Sequence, residues 1–221
     1  MQIKAPSFSQ LPQLQKLWHQ AFHESMGSFL RTAYSGKRCL VAEVDGKVAA
    51  ALYWFDFGYK GHRLAYLYAI ATKESHRGQG IGKALVEAAH KHLKEAGYAG
   101  AVLVPAEEGL FAFYKKCGYQ EEIPGFLRKT PAFLGEKVTW QQYAEAREKL
   151  LPLGGCCPSK EVFRYLDTYC DFYVGEGSCC CVSRDGKCQE VLPYTKDERP
   201  FALFLPFADI PTPSYFSLPI D

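Results

Sequence analysis

The segment His76-Arg77-Gly78-Gln79-Gly80-Ile81-Gly82-Lys83 is the part of this chain best suited to chemistry. It follows the apolar run Leu64–Thr72. It leads into Ile81, Ala84, Leu85, Ala88, Ala89, Leu93 and Ala96, which recur at helical spacing up to Gly97. Glycines let a backbone turn tightly and leave no side chain between it and a ligand. The first turn of the following helix has N–H groups without intrahelical acceptors, and the helix dipole adds partial positive charge. A strand, a glycine loop and a helix in that order therefore form a cradle for a phosphate group. The spacing excludes a Walker loop, because no Gly-Lys-Ser/Thr follows. It also lacks Gly-x-Gly-x-x-Gly and the acidic strand end that dinucleotide binding requires about 20 residues on.

Other reactive side chains carry less. The nine cysteines include the adjacent sets Cys156-Cys157 and Cys179-Cys180-Cys181, with Cys188 nearby. Cys-x2-Cys spacing is absent, and neighbouring strand residues point to opposite faces, so neither a metal site nor a disulfide framework is expected. They read as small buried hydrophobes. Cys39 and Cys117 could be nucleophiles with His76 or His90 as base, but neither has a local triad around it. His90 and His92 lie two apart on a helix and do not share a face.

These residues must be held by a real core. Of 221 residues, 48% are hydrophobic and 14% aromatic, which excludes wholesale disorder. The net charge of +2 excludes a dedicated nucleic-acid binder. The charge is uneven: residues 1–130 hold 17 basic and 11 acidic side chains, and residues 131–221 hold 9 and 13. The first part suits an anion the size of a nucleotide. No run of 18 apolar residues exists, and the start Met1-Gln-Ile-Lys-Ala-Pro-Ser lacks the layout of a signal peptide, so a cytoplasmic protein without a membrane span is expected.

Leu11, Leu14, Leu17, Trp18 and Phe22 predict a helix over 10–23, with a second short helix over 25–35. Arg38–Asp45 and Val48–Phe57 read as strands joined at Asp45-Gly46, a two-residue hairpin signal. Leu64–Thr72 is too apolar to be an edge strand. Further on, 99–104 reads as a strand, 107–117 as a short helix and 118–123 as a strand. Pro124-Gly125 and Pro131 punctuate a linker. Thr139 could cap a helix through Leu151, and Ser159 another through Cys170. Ser178–Ser183 and Cys188–Pro193 flank Asp185-Gly186, a second hairpin of the same kind. Helix, helix and Asp-Gly hairpin thus occur twice, which makes the tail a partial copy of the first half. Residues 201–221 hold four prolines and many aromatics and read as extended chain packed on something.

Arg77-x-x-Gly80-x-Gly82 resembles the Arg/Gln-x-x-Gly-x-Gly/Ala signature of the GNAT family of N-acetyltransferases. Phe113-Tyr114-Lys115-Lys116-Cys117-Gly118-Tyr119 is similar to that family's Phe-Tyr-x-Lys-x-Gly-Phe element, and the order of strands and helices over 1–123 agrees. The resemblance covers about 1–130; the tail, ending Tyr215-Phe-Ser-Leu-Pro-Ile-Asp221, resembles more loosely the extensions of some two-part bacterial members. It implies a mixed α/β fold with a central, mostly antiparallel sheet. It divides the chain into an acetyltransferase domain, 1–130, and a C-terminal α/β half-domain, 131–221, that completes the acceptor site.

The resemblance also implies roles. Acetyl-CoA would be the co-substrate, with its pyrophosphate on the loop amides of Arg77, Gly78, Gln79, Gly80, Ile81, Gly82 and Lys83. The pantetheine chain would pair like an added strand with the backbone of Tyr68, Ala69, Ile70 and Ala71, and the Ile70 amide would polarise the thioester carbonyl. Tyr114 would protonate the leaving thiolate. Two departures stand out. Glu107 occupies a position where many members carry Asn, and the strand before the cradle shows Tyr66 and Tyr68 but no carboxylate. For the base, the candidates are Glu24, His23, Tyr66, Tyr68 and the terminal carboxylate of Asp221, with a water chain as substitute. The expected activity is direct acetyl transfer to a small-molecule or peptide amine in a ternary complex, by a monomer or homodimer. Alternatives are a catalytically impaired CoA-binding module, or an interaction protein acting through its aromatic tail.

Overall fold

The computed structural model describes residues 1–131 and 135–217. Near its start the apolar stripe Leu14, Leu17 and Trp18 is buried as helix α1 (Leu11–Phe22), followed by the short α2 (Gly27–Thr32). Two long strands, β3 (Lys47–Tyr59) and β4 (His62–Thr72), pair antiparallel over most of their length. β2 (Cys39–Val44) joins β3 through Asp45 and Gly46, both at positive φ (49° and 73°), as a two-residue hairpin turn demands. β1 (Gln2–Lys4) pairs with β2 at the edge. α3 (Ile81–Glu95) starts at the glycine loop. β5 (Gly100–Leu103) then runs parallel to β4, α4 (Glu108–Lys116) follows, and β6 (Glu121–Phe126) ends this part.

A second, four-stranded antiparallel sheet follows. Its strands are β7 (Glu136–Val138), β9 (Cys170–Gly175), β10 (Ser178–Ser183) and β11 (Cys188–Leu192). α5 (Trp140–Leu150) and α6 (Lys160–Leu166) pack beside it. Thr139 caps α5 in a capping box with Gln142, as its position suggests. β8 (Cys157–Pro158) pairs with β3 and ties this region to the first sheet.

The last strand, β12 (Lys196–Pro206), does not stay with the second sheet. It lies between β5 and β6, giving the order β1-β2-β3-β4-β5-β12-β6. Ala202, Leu203 and Phe204 are fully buried there. Gly100 on β5 permits this approach, since a Cβ at that position would sit 2.5 Å from the Phe204 ring. The two sheet faces carry separate cores. One faces α3 and α4; the other faces α1, α2, α5, α6 and the second sheet.

Several local expectations change. The helix capped at Ser159 ends at Leu166, and Cys170 opens a strand, because residues 170–175 pair with Ser178–Ser183. The strand after α4 begins at Glu121, not 118, since Gly118 turns the chain at φ 101°. At Asp185-Gly186 only Gly186 has positive φ, and the loop closes between Ser183 and Lys187, so this hairpin differs in kind from Asp45-Gly46. Of the aromatic end 201–221, the part up to Pro206 lies in the interior strand β12; residues 207–217 belong to no strand of that sheet, and 218–221 lie outside the described residues.

All nine cysteines are free thiols and eight are buried. Among the described residues no helix is long and apolar enough to cross a membrane. No group of three or more His, Cys, Asp or Glu among them is placed to hold a metal ion.

Candidate active site

β4 and β5 are in register only from Leu64↔Gly100 to Tyr66↔Val102. Beyond that, β4 turns away because of a bulge: on the β3 side the register jumps between Ala51↔Ala71 and Tyr53↔Tyr68. Ala69, inside the bulge, has φ 50°, a left-handed conformation that costs a residue with a Cβ about 1–2 kcal/mol. Such strain persists where the surroundings over-determine it, often at functional sites. The two strands separate here, and the gap opens into a cavity of about 1140 Å³.

Tyr68, Ala69 and Ile70 line this cavity on one side. Leu103 and Val104 continue β5 on the other, and α4 contributes Glu108, Leu110, Phe111 and Tyr114. Tyr114 is buried against Phe113 and Tyr119, with ring centroids 5.1 and 6.2 Å apart. Burial, and then Cys117, pushes its phenol up to about 12. It therefore stays protonated through the neutral range and is a standing proton donor.

The junction after α1 brings Trp18, Phe22 and Glu24 to the same cavity. Glu24 is exposed; burial raises the Tyr165 phenol's pKa, and the nearby Glu24 charge adds to it. Tyr68 meets Tyr165 hydroxyl to hydroxyl at 3.5 Å. Burial, with Tyr165 beside it, raises the Tyr68 phenol well above its usual value. A phenol held that way keeps its proton, which weighs against Tyr68 as the base. Tyr66 lines the cavity but packs among Phe55, Phe57 and Phe216. His23 is exposed, takes the left-handed C-cap of α1, and is not part of the lining. Asp221 lies outside the described residues. Glu107 lines the cavity as the N-cap residue of α4 but makes no side-chain cap bond.

The glycine loop sits next to this cavity in the chain but does not line it. Ala71 is likewise absent from the lining. Gly78 and Gly80 adopt φ 74° and 77°, and α3 begins at Ile81 with Gly80 as its N-cap. A Cβ on Gly80 would meet nothing within 4 Å, so open space lies over the turn. Gly82 is different, since its Cβ would approach Thr72 Oγ1 at 3.3 Å and the Phe113 ring at 3.8 Å. It is a packing glycine that lets α3 close on β4 and α4. Arg77 Nε donates to Thr72 O and Gln79 Nε2 to Ser75 O, which tie the loop to the end of β4 and to its own start.

The sequence reading sets residues 131–221 at the acceptor site but names no residue of the opposite wall. β6 and the residues after it contribute Phe126, Leu127 and Arg128, and β12 contributes Asp197, Arg199, Pro200 and Phe201. The register between β12 and β6 breaks on both sides of Pro200, which turns this stretch toward the cavity. The aromatic density of the tail was a signal that it packs on something, but not of which residues border the cavity.

Residues 6–119 match the acetyltransferase (GNAT) family. The chain belongs to that family. It is also similar to N-acetyltransferase 8 of Rattus norvegicus, at 32% identity over 69 residues, which is 30% of this chain and 31% of the rat protein. Among solved structures it is similar to a GCN5-related N-acetyltransferase from Anabaena variabilis, with TM-score 0.63 and 20% identity. A second, from Kribbella flavida, has TM-score 0.63 and 16% identity. Both alignments cover 86% of this chain, but only 58% and 56% of those longer proteins. At such identities the likeness is one of fold, and the mixed α/β sheet with its splayed strands is that fold.

Proposed function

We propose that the protein transfers an acetyl group from acetyl-CoA directly to a primary amine within a ternary complex. One observation carries the reading: the strained bulge at Ala69, the protonated Tyr114 and the Glu24 carboxylate face a single cavity. That cavity opens where two parallel strands part. The unpaired edge of Tyr68–Ala71 offers backbone groups to the pantetheine amides. The loop Arg77–Lys83 and the first turn of α3 offer N–H groups to the pyrophosphate.

In the reaction the amine nitrogen attacks the thioester carbonyl carbon while the Ile70 amide hydrogen-bonds the developing oxyanion. The carbon–sulfur bond breaks, and the thiolate takes the Tyr114 proton. The proton lost by the amine passes to Glu24, directly or through water, and the pair is reset by solvent. Residues 131–221 act in this scheme as an extension that walls the acceptor side and carries no second acetyl-CoA site.

The test is thiol release from acetyl-CoA with a panel of primary amines. Tyr114→Phe keeps the ring and removes the donor. It is expected to lower kcat by about 100-fold with little change in the KM for acetyl-CoA, the pattern of a bond made in the transition state. Wild-type turnover in a folded Tyr114→Phe protein would return that residue to packing. Binding of CoA without turnover of any amine would leave a binding module instead.

A further inference from the structure

On that reading, we propose that the acceptor is an arylalkyl primary amine, whose ring lies among aromatic side chains and whose ammonium group faces Glu24. Rings line the cavity from both walls: Trp18, Phe22, Tyr66 and Tyr68 on one, Phe126 and Phe201 on the other. They are already arranged as contacting pairs. Trp18 meets Phe22 edge-on at 5.2 Å and Tyr68 at 5.8 Å, and Phe126 meets Phe201 at 5.6 Å. Such a surface rewards a further ring in edge or offset contact, and rewards a cation over a ring face. Phe22 is 36% exposed at the mouth, an apolar surface that a ligand ring would cover.

The charges place the ammonium on the α1 side, since Arg128 already lies over the Phe126 and Phe201 rings at 5.5 and 4.9 Å. Asp197 is held by Arg199, with Nε to Oδ1 at 3.1 Å, and Glu122 by Lys115 at 2.7 Å. Glu107 and Glu108 belong to the α4 end, on the wall that carries Tyr114. Among the described residues Glu24 has no ion pair and no hydrogen bond, and it stands one turn beyond the rings of α1. Glu107 and Glu108 also line the cavity without an ion pair among the described residues, but only Glu24 follows directly on the α1 segment that carries Trp18 and Phe22.

The experiment compares kcat/KM for 2-phenylethylamine, hexylamine, spermidine and a lysine peptide, with thiol release as the readout. Phenylethylamine is expected to lead the others by about tenfold or more. Phe22→Ala, at an exposed position that does not threaten folding, should raise the KM for phenylethylamine about tenfold and that for hexylamine less than about threefold. Preference for spermidine or the peptide would overturn the proposal, and so would an equal loss on all amines in Phe22→Ala. If no amine is turned over, phenylethylamine is titrated calorimetrically into CoA-saturated protein. Binding that Phe22→Ala weakens would sustain the aromatic site while the transfer reading falls, and no binding would end both.

Discussion

Among the described residues the most buried ion pair lies away from the cavity. Arg147 on α5 is 2% exposed and Glu190 on β11 is 0% exposed. The Glu190 carboxylate accepts from Arg147 Nε at 2.8 Å and Nη2 at 3.1 Å, from Tyr143 at 2.5 Å, from Tyr215 at 2.8 Å, and from Ser217. Arg147 also donates to Ser217 Oγ and the Cys156 carbonyl. Glu190→Ala would leave the guanidinium buried without its counter-charge, and would orphan the Tyr143, Tyr215 and Ser217 hydroxyls. Breaking a buried pair from one side costs about 3–5 kcal/mol. A whole domain holds about 5–15 kcal/mol, so the loss is a large share. In a chain of this size each kcal/mol shifts Tm by roughly 2–4 °C, so a drop on the order of 10 °C is expected by calorimetry. Replacing both charges, as Arg147→Met with Glu190→Leu, should recover the part due to the unpaired guanidinium but not the part due to the orphaned hydroxyls. Acid should have the same target. Burial pushes the Glu190 pKa up, but Arg147 and the hydroxyl donors pull it down further, and the net shift is downward. The unfolded chain therefore takes up the proton first. The stabilisation is complete above the ordinary glutamate value and is lost as pH falls through the lower folded value. A Glu190→Ala protein melting within 2 °C of wild type would refute this account of the network.

Three further outcomes follow from the geometry. Gly82→Glu adds a carboxylate in the first turn of α3 and should weaken CoA binding about tenfold or more, measured by calorimetry. An unchanged Kd in the folded variant would remove the phosphate site from that loop. A chain ending near residue 130 lacks β12, leaving β5 and β6 without the strand between them, and should fail to give a soluble folded protein. A stable, active fragment would contradict this. Burial, aided by Lys94, lowers the His90 pKa to about 4, while its ring meets the Tyr119 hydroxyl at 3.0 Å. Stability should therefore decline as pH falls from about 6.5 toward 4, and His90→Gln should flatten that slope in denaturant titrations.

What could be read from residue order follows the range of the interaction. α1, α3 and the capped α5 were legible because periodicity, glycine and Thr139 act within a few residues. The glycine turn before α3 and the place of Tyr114 on a short helix were legible for the same reason, as motifs carried on contiguous segments. The left-handed Ala69 was not, because alanine gives no local sign of it; the mismatch of β3 and β4 imposes it. Cys170 read as a helix end because the strand identity of Cys170–Gly175 comes from β10 and β7. The cavity wall of Phe126, Arg199 and Phe201, and the Arg147–Glu190 pair 43 residues apart, arise only once distant strands have met.

The placement of β12 also governs how the molecule comes to be folded. Leu103 pairs with Leu203, about 100 residues away, in the interior of the sheet. A newly made chain that has reached β6 cannot dock it on β5, because the partner of both strands has not yet been synthesised. Until residues past 196 arrive, two strands with unpaired edges and a partly apolar face are open to other chains. Non-local pairing of this kind slows folding, and the waiting intermediate is the aggregation-prone species. The cavity shares that timing, since its far wall is the last strand to be placed. A nascent chain thus has its glycine loop and Tyr114 long before it has an enclosed site in which to use them.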